Sequence, residues 1–321
     1  MRRGGDVYPM NEFELIARLA GAAPTNASTI VGPGDDCAVI DLQAPDQYLL
    51  FKTDATVEGV HFTDAATPEE IGHKALGRCL SDVAAMAGTP THALVTLGLP
   101  EGFDVGFVEK IYHGMSALAL RYQVAIVGGE TTLNPGQMFI SVAVLGTVPK
   151  GKCVLRSGAK VGDAIFVTGE LGGSLAGKHL NFEPRLKEAQ WLAANYSIHA
   201  MIDVSDGLAG DLRHILKSSG VGAELLSSAI PISRAARLGK QRDRSAKPPL
   251  ESALTDGEDF ELLFTAASHE AVSLLDAWKK QFPDLPLGCI GRITAESGLR
   301  IRDKKGAQPL AADGYVHFQK S

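Results

Sequence analysis

At 321 residues, with 45% hydrophobic and 21% charged residues, the chain has a globular composition and exceeds the usual size of one core, which points to two domains. Its net charge of −6 leaves no global basic field for nucleic acid or an anionic membrane. The four cysteines form no C-x-x-C pair, which argues against zinc and a disulfide framework; no run approaches the ~20 apolar residues of a membrane span, and no apolar region follows Met1-Arg2-Arg3, so a soluble cytoplasmic protein is expected.

Residues up to Pro9 read as a frayed tail, and Asn11 is placed to cap a helix carrying Leu15, Ile16 and Leu19, with Glu14 as its capping-box partner. Tyr48 to Phe51 reads as a strand delivering Lys52, Thr53 and Asp54 at its end, where ligands commonly sit. Thr67-Pro68-Glu69-Glu70 is an N-cap with proline at N1, and Ile71, Ala75, Leu76, Cys79, Leu80, Val83 and Ala84 recur at helical spacing. Asp82 falls inside that apolar helix and needs a metal or an arginine as partner.

A strand at 92–99, a helix around 104–122 and strands at 124–127 and 138–148 complete an alternating first half. Pro149-Lys150-Gly151-Lys152 then marks a boundary, giving domains at 10–149 and 150–321. The second half predicts strands near 164–168, 201–202, 223–226, 262–265 and 287–293, with helices near 174–180, 184–194 and 205–218. The basic run from Ser233 to Pro249 has few apolar anchors and reads as a solvated loop rather than a nucleic-acid surface.

Five acidic motifs stand beside glycines or hydroxyls: Gly34-Asp35-Asp36, Thr53-Asp54, Ser81-Asp82, Asp203-Val204-Ser205-Asp206-Gly207 and Asp256-Gly257-Glu258-Asp259. Together they suit magnesium and phosphate, because hard cations want carboxylate oxygens and glycine lets backbone amides approach an anion. Several motifs keep two readings. Asp206 is a helix cap or a metal ligand, His61 a structural histidine or an oxyanion donor, and Gly128-Gly129-Glu130-Thr131-Thr132 a turn or a phosphate-lining loop. Gly172 to Lys178 matches a P-loop until His179 replaces the hydroxyl that would ligate magnesium, so a Walker site is disfavoured.

In order, Gly34-Asp35-Asp36-Cys37-Ala38, Thr53-Asp54 with His61-Phe62, Leu80-Ser81-Asp82-Val83-Ala84-Ala85-Met86, Gly128 to Thr132, Arg156-Ser157-Gly158-Ala159, Asp203 to Leu208 and Gly257-Glu258-Asp259-Phe260-Glu261 resemble the thiamine-monophosphate kinase family over nearly the whole chain. The resemblance implies a two-domain aminoimidazole ribonucleotide synthetase-like fold, α/β and α+β. Its N-terminal α/β domain would build a barrel-like homodimer interface, and an α+β domain would follow.

It also implies ATP-dependent phosphorylation of thiamine monophosphate to thiamine diphosphate by in-line transfer. Magnesium would be held by Asp36, Thr53, Asp54, Asp82, Glu130, Asp203 and Asp206, with Asp54 and Asp82 at the catalytic centre. ATP would be contacted by Thr53, Tyr112, Gly129, Glu130, Arg156 and Ser205. Thiamine monophosphate would meet His61, Glu258 and Tyr315, whose ring can stack on the substrate.

The chain departs from the family pattern at Lys52, where a hydroxyl ligand is usual and a lysine could offset phosphate charge. It departs again at Glu130, where aspartate is common, and at Asn181-Phe182-Glu183-Pro184-Arg185. The alternatives are another ATP-dependent enzyme of the superfamily or a nucleotide-binding, inactive paralogue.

Overall fold

The computed structural model describes residues 12–243, 245–311 and 314. Asn11 and Tyr315 lie outside the described residues. No helix among the described residues is long and apolar enough to cross a membrane.

The first part comprises α1 (Glu12–Ala22), β1 (Thr29–Val31), β2 (Ala38–Ile40), β3 (Gln47–Val57), α2 (Pro68–Ala85), β4 (Thr89–Leu99), α3 (Val105–Arg121), β5 (Ala125–Leu133) and β6 (Phe139–Pro149). Its six strands form one sheet in the order β1-β2-β3-β6-β4-β5, with β4 and β5 parallel and the other neighbours antiparallel. The expected barrel is not closed within one chain: β1 and β5 are edges.

The second part comprises β7 (Ala164–Thr168), α4 (Leu186–Asn195), β8 (Ile198–Asp203), α5 (Leu208–Ser219), β9 (Gly222–Leu226), α6 (Arg234–Arg242), α7 (Pro249–Thr255), β10 (Leu262–Ala266), α8 (Ala271–Gln281), β11 (Leu287–Thr294), β12 (Gly298–Asp303) and β13 (Gly306–Pro309). Its seven-stranded sheet runs β13-β12-β9-β11-β7-β10-β8. The central strands β7 and β10 are buried at every residue, because apolar clusters cover both faces. One cluster contains Phe166, Phe264 and Trp278 and continues through α2 into the first sheet, and the other packs Ile165, Val167 and Leu263 against Leu208, Leu212 and Ile215 of α5.

Helix α2 joins the two parts. Its start is fixed by a capping box between Thr67 and Glu70, with Pro68 at the first turn. It approaches α3 closely because Gly72 and Gly114 lack side chains: a Cβ on Gly72 would lie 1.9 Å from the Ile111 carbonyl oxygen, and one on Gly114 would lie 2.0 Å from that of Glu69.

Several sequence expectations need correction. The strand expected to end before Lys52 runs on to Val57, because β6 pairs with it throughout and Asp54 stands opposite Val142. The strand expected to stop at Val127 likewise continues through Gly128 to Leu133 against β4, so Gly129 and Glu130 lie within a strand rather than a loop. The basic segment expected as a loop contains α6, because the Ser233 hydroxyl caps Ala236 and Ala236 is buried, although most of the helix surface stays wet. The helix expected near 174–180 is two short 3-10 turns, separated by Gly177 at a φ of 133°.

Candidate active site

Alternation along β3 and helical periodicity along α2 bring opposite charges together. Lys52 and Asp54 are two residues apart and share a sheet face, while Lys74, Arg78 and Asp82 follow one another at four-residue spacing and share a helix face. Lys52 Nζ lies 2.9 Å from Asp82 Oδ1. Arg78 grips both Asp54 oxygens through Nε and NH2, at 3.0 and 3.3 Å, and reaches Glu258 through NH1 at 3.3 Å.

Two segments from elsewhere complete the cluster. The Gly34-Asp35-Asp36 turn is tied down by Arg156, whose backbone N–H donates to Asp35 and whose NH2 lies 2.6 Å from Asp36 Oδ1. Asp203, at the end of β8, accepts a 2.6 Å bond from Ser81 Oγ of α2. Carboxylate oxygens of Asp36, Asp82 and Asp203 consequently lie within 4.8 Å of one another, with all three residues buried. Burial pushes Asp82 up strongly and Asp203 to about 7, the latter reinforced by the Asp36 charge. Burial and the Asp36 charge likewise move Asp35 to about 6. Asp54 goes the other way: burial opposes its ionisation, but the Arg78 and Lys52 charges hold it below the usual carboxylate range.

This donor set fits a hard divalent cation. Its groups are all oxygen donors, and Asp36 Oδ2 is buried without a hydrogen-bond partner although it belongs to a cluster of three carboxylates. A second candidate set is Asp206, Asp211 and His214. The sequence singled out only Asp206, expected in the first helical turn. The structure places it before α5, where its N–H donates to Asp211 Oδ2 at 3.0 Å.

Beside the carboxylates, His61 and Glu258 are joined through Lys74. The fully buried Lys74 ammonium donates to the His61 carbonyl and to Glu258 Oε2. His61 Nδ1 accepts from the Val57 N–H at 3.0 Å, which in a neutral ring places the proton on Nε2. Glu258 and Phe260 adopt positive φ, 55° and 51°, a conformation costing non-glycine residues about 1–3 kcal/mol each. The Glu258 N–H donates to the Ser205 carbonyl and that of Phe260 to the Val204 carbonyl, so the Asp203–Gly207 and Gly257–Glu261 motifs lie side by side.

Other expected residues are not drawn into the three-carboxylate cluster. The Thr53 hydroxyl points to the opposite sheet face, 3.4 Å from Ser141 Oγ, as alternation after Lys52 requires. Gly129 lies in the register row of Asp54 but three strands away, and Glu130 shares the row of Thr96, Ser141 and Ala55. Tyr112 is half-buried on α3, packed on the core. The P-loop look-alike is filled from within: the Gly172 N–H donates to both Asp259 oxygens at 3.0 Å, the Gly173 N–H to Asp256, and Lys178 pairs with Glu261 at 2.8 Å. Sequence reasoning missed Lys74, Arg78 and Asp211, although the four-residue spacing from Lys74 to Asp82 was a legible signal.

Two family models match in succession: AIR synthase related protein, N-terminal domain, over residues 34–148, and the C-terminal domain of the same family over 160–304. The chain is similar to the thiamine-monophosphate kinase of Rhodopirellula baltica, 40% identical over 95% of this chain and 97% of the relative. It is also similar to that of Bacillus subtilis, 33% identical over 97% and 100%. A solved structure described as AaThiL complexed with AMPPCP and TMP superposes with a TM-score of 0.82 at 30% identity, covering 98% of this chain and 99% of that one. With these likenesses spanning the segments that build the carboxylate cluster, the chain belongs to the thiamine-monophosphate kinase family of AIR synthase related proteins.

Proposed function

We propose that this protein phosphorylates thiamine monophosphate to thiamine diphosphate, with ATP as donor and magnesium as the metal. The observation that carries the reading is the buried cluster of Asp36, Asp82 and Asp203, assembled from three distant motifs and containing an unpartnered carboxylate oxygen. The likeness to named thiamine-monophosphate kinases and to a structure holding AMPPCP and TMP supports the choice of substrates.

In this reading Asp36, Asp82 and Asp203 hold magnesium, with Asp54 and Asp206 beside them. Bound magnesium would neutralise charge on the transferring phosphoryl group. Thr53 and Glu130 are left out as side-chain ligands, because both register rows face away from Asp54. Arg156 and Ser205 bind the ATP phosphates, with Tyr112 and Gly129 as outer contacts. Arg78 lies between Asp54 and Glu258 and orients both, while Lys74 fixes His61 and Glu258 for the acceptor. The acceptor oxygen belongs to an ionised phosphate, so positioning and electrostatics carry the reaction without a strong base.

A homodimer is part of this reading. The edge strand β5 exposes Val127 and Leu133, and the outer sheet face exposes Phe51 and Leu94, an apolar surface that a second copy would cover. The test is ADP release with magnesium and ATP, comparing thiamine monophosphate, thiamine and aminoimidazole precursors as acceptors. Stimulation by thiamine monophosphate alone is expected; ATP binding without that stimulation would refute the assignment.

A further inference from the structure

Charges around the acidic cluster are already partly cancelled by the chain itself. Lys52 Nζ meets Asp82 at 2.9 Å and Arg156 NH2 meets Asp36 at 2.6 Å, whereas Asp203 is met by the Ser81 hydroxyl. Three carboxylates thus face two fixed cations. On the flank, Arg78 and Lys74 compensate Asp54 and Glu258 in the same way.

A divalent ion entering such a cluster is attracted by each carboxylate but repelled by a cation a few ångströms behind it. A polyphosphate brings several negative charges of its own and restores the attraction. Among the two cations at the cluster, Lys52 is the one tied by a side chain alone, on the strand that also presents Asp54. Arg156 additionally anchors the Asp35 turn through its backbone.

We propose that Lys52 is a built-in counter-ion of the Asp36, Asp82 and Asp203 cluster, and that it defers divalent-metal loading until nucleotide polyphosphate arrives. In the free protein the ammonium takes the charge-neutralising role that a metal would otherwise take. The proposal rests on the kinase reading only for the arrival of nucleotide; its metal-alone behaviour is independent of any acceptor.

The experiment is a Mn2+ titration of the full chain followed by electron paramagnetic resonance, without nucleotide, on wild type, Lys52→Gln, Lys52→Thr and Lys52→Arg. Circular dichroism melts establish which variants are folded. Lys52→Gln and Lys52→Thr are expected to bind Mn2+ at least about tenfold more tightly than wild type, and Lys52→Arg to stay near wild type. Adding ATP should narrow the difference. Equal Mn2+ affinity in wild type and the folded neutral variants overturns the proposal, as does a Lys52→Arg chain that behaves like Lys52→Gln. Absence of thiamine-monophosphate-dependent turnover in the wild type, with this Mn2+ pattern intact, would remove the kinase reading alone.

Discussion

Ser81 Oγ donates a 2.6 Å hydrogen bond to Asp203 Oδ2, linking the helix that carries Asp82 to the strand that ends the second sheet's contribution to the site. The bond is buried and its acceptor is a carboxylate, so removing it costs more than a neutral pair would. Ser81→Ala should destabilise the protein by roughly 1.5–3 kcal/mol. Denaturant unfolding measures this, and an unchanged midpoint would show that the two parts are not coupled through this contact.

Lys74→Met tests the positioning of His61 and Glu258. Without the ammonium that bridges them, the KM for thiamine monophosphate should rise about tenfold or more, as expected for loss of charged hydrogen bonds. The KM for ATP should change little, because Lys74 touches none of the proposed ATP contacts. An equal rise in both KM values would contradict this positioning role.

Gly129→Ala should lower the melting temperature even without ligands. A Cβ at this position would lie 1.7 Å from the Val95 carbonyl oxygen, which forces β4 and β5 apart. A variant of unchanged stability but weakened ATP binding would contradict this packing account.

The metal-free protein should lose stability between pH 6.5 and 8. Asp203 and Asp259 titrate at about 7 in the fold, raised first by burial, whereas both are fully ionised in the unfolded chain in this range. The folded state therefore holds more protons than the unfolded one, and stability falls as pH rises through about 7. His214 acts oppositely but lower: burial brings it to about 4, so its contribution grows up to the unfolded histidine value near ~6.5 and is then constant. Thermal melts in chelator across this range measure the slope. Magnesium should stabilise more at pH 8 than at pH 6.5.

Glu261→Gln should cost about 3–5 kcal/mol, because a buried carboxylate held by Arg185, Lys178 and Thr168 is neutralised and two cations lose their partner. Denaturation at pH 7 checks it. A loss under ~1 kcal/mol would mean that these ion pairs contribute no more than exposed ones do.

The sequence made the α2 cap, the acidic motifs and most strand positions legible, because capping residues and alternation are local signals. What it left out is pairing. The extension of β3 past Asp54 depends on β6, some ninety residues away in register, and it turns the Thr53 hydroxyl to the opposite face. The use of Gly172 and Gly173 amides by Asp259 and Asp256 is equally non-local, so the glycine-rich segment looks like a phosphate loop until its partners are seen. Lys52 shows the same limit: read as a possible phosphate partner, it is found on Asp82.

The most direct measurement of the central claim is phosphorus NMR of the protein incubated with magnesium, ATP and thiamine monophosphate, beside an Asp82→Asn variant shown to be folded. Thiamine diphosphate and ADP should accumulate together in wild type and be reduced by orders of magnitude in the variant. Absence of thiamine diphosphate with wild-type protein, or its undiminished formation by Asp82→Asn, would contradict the account.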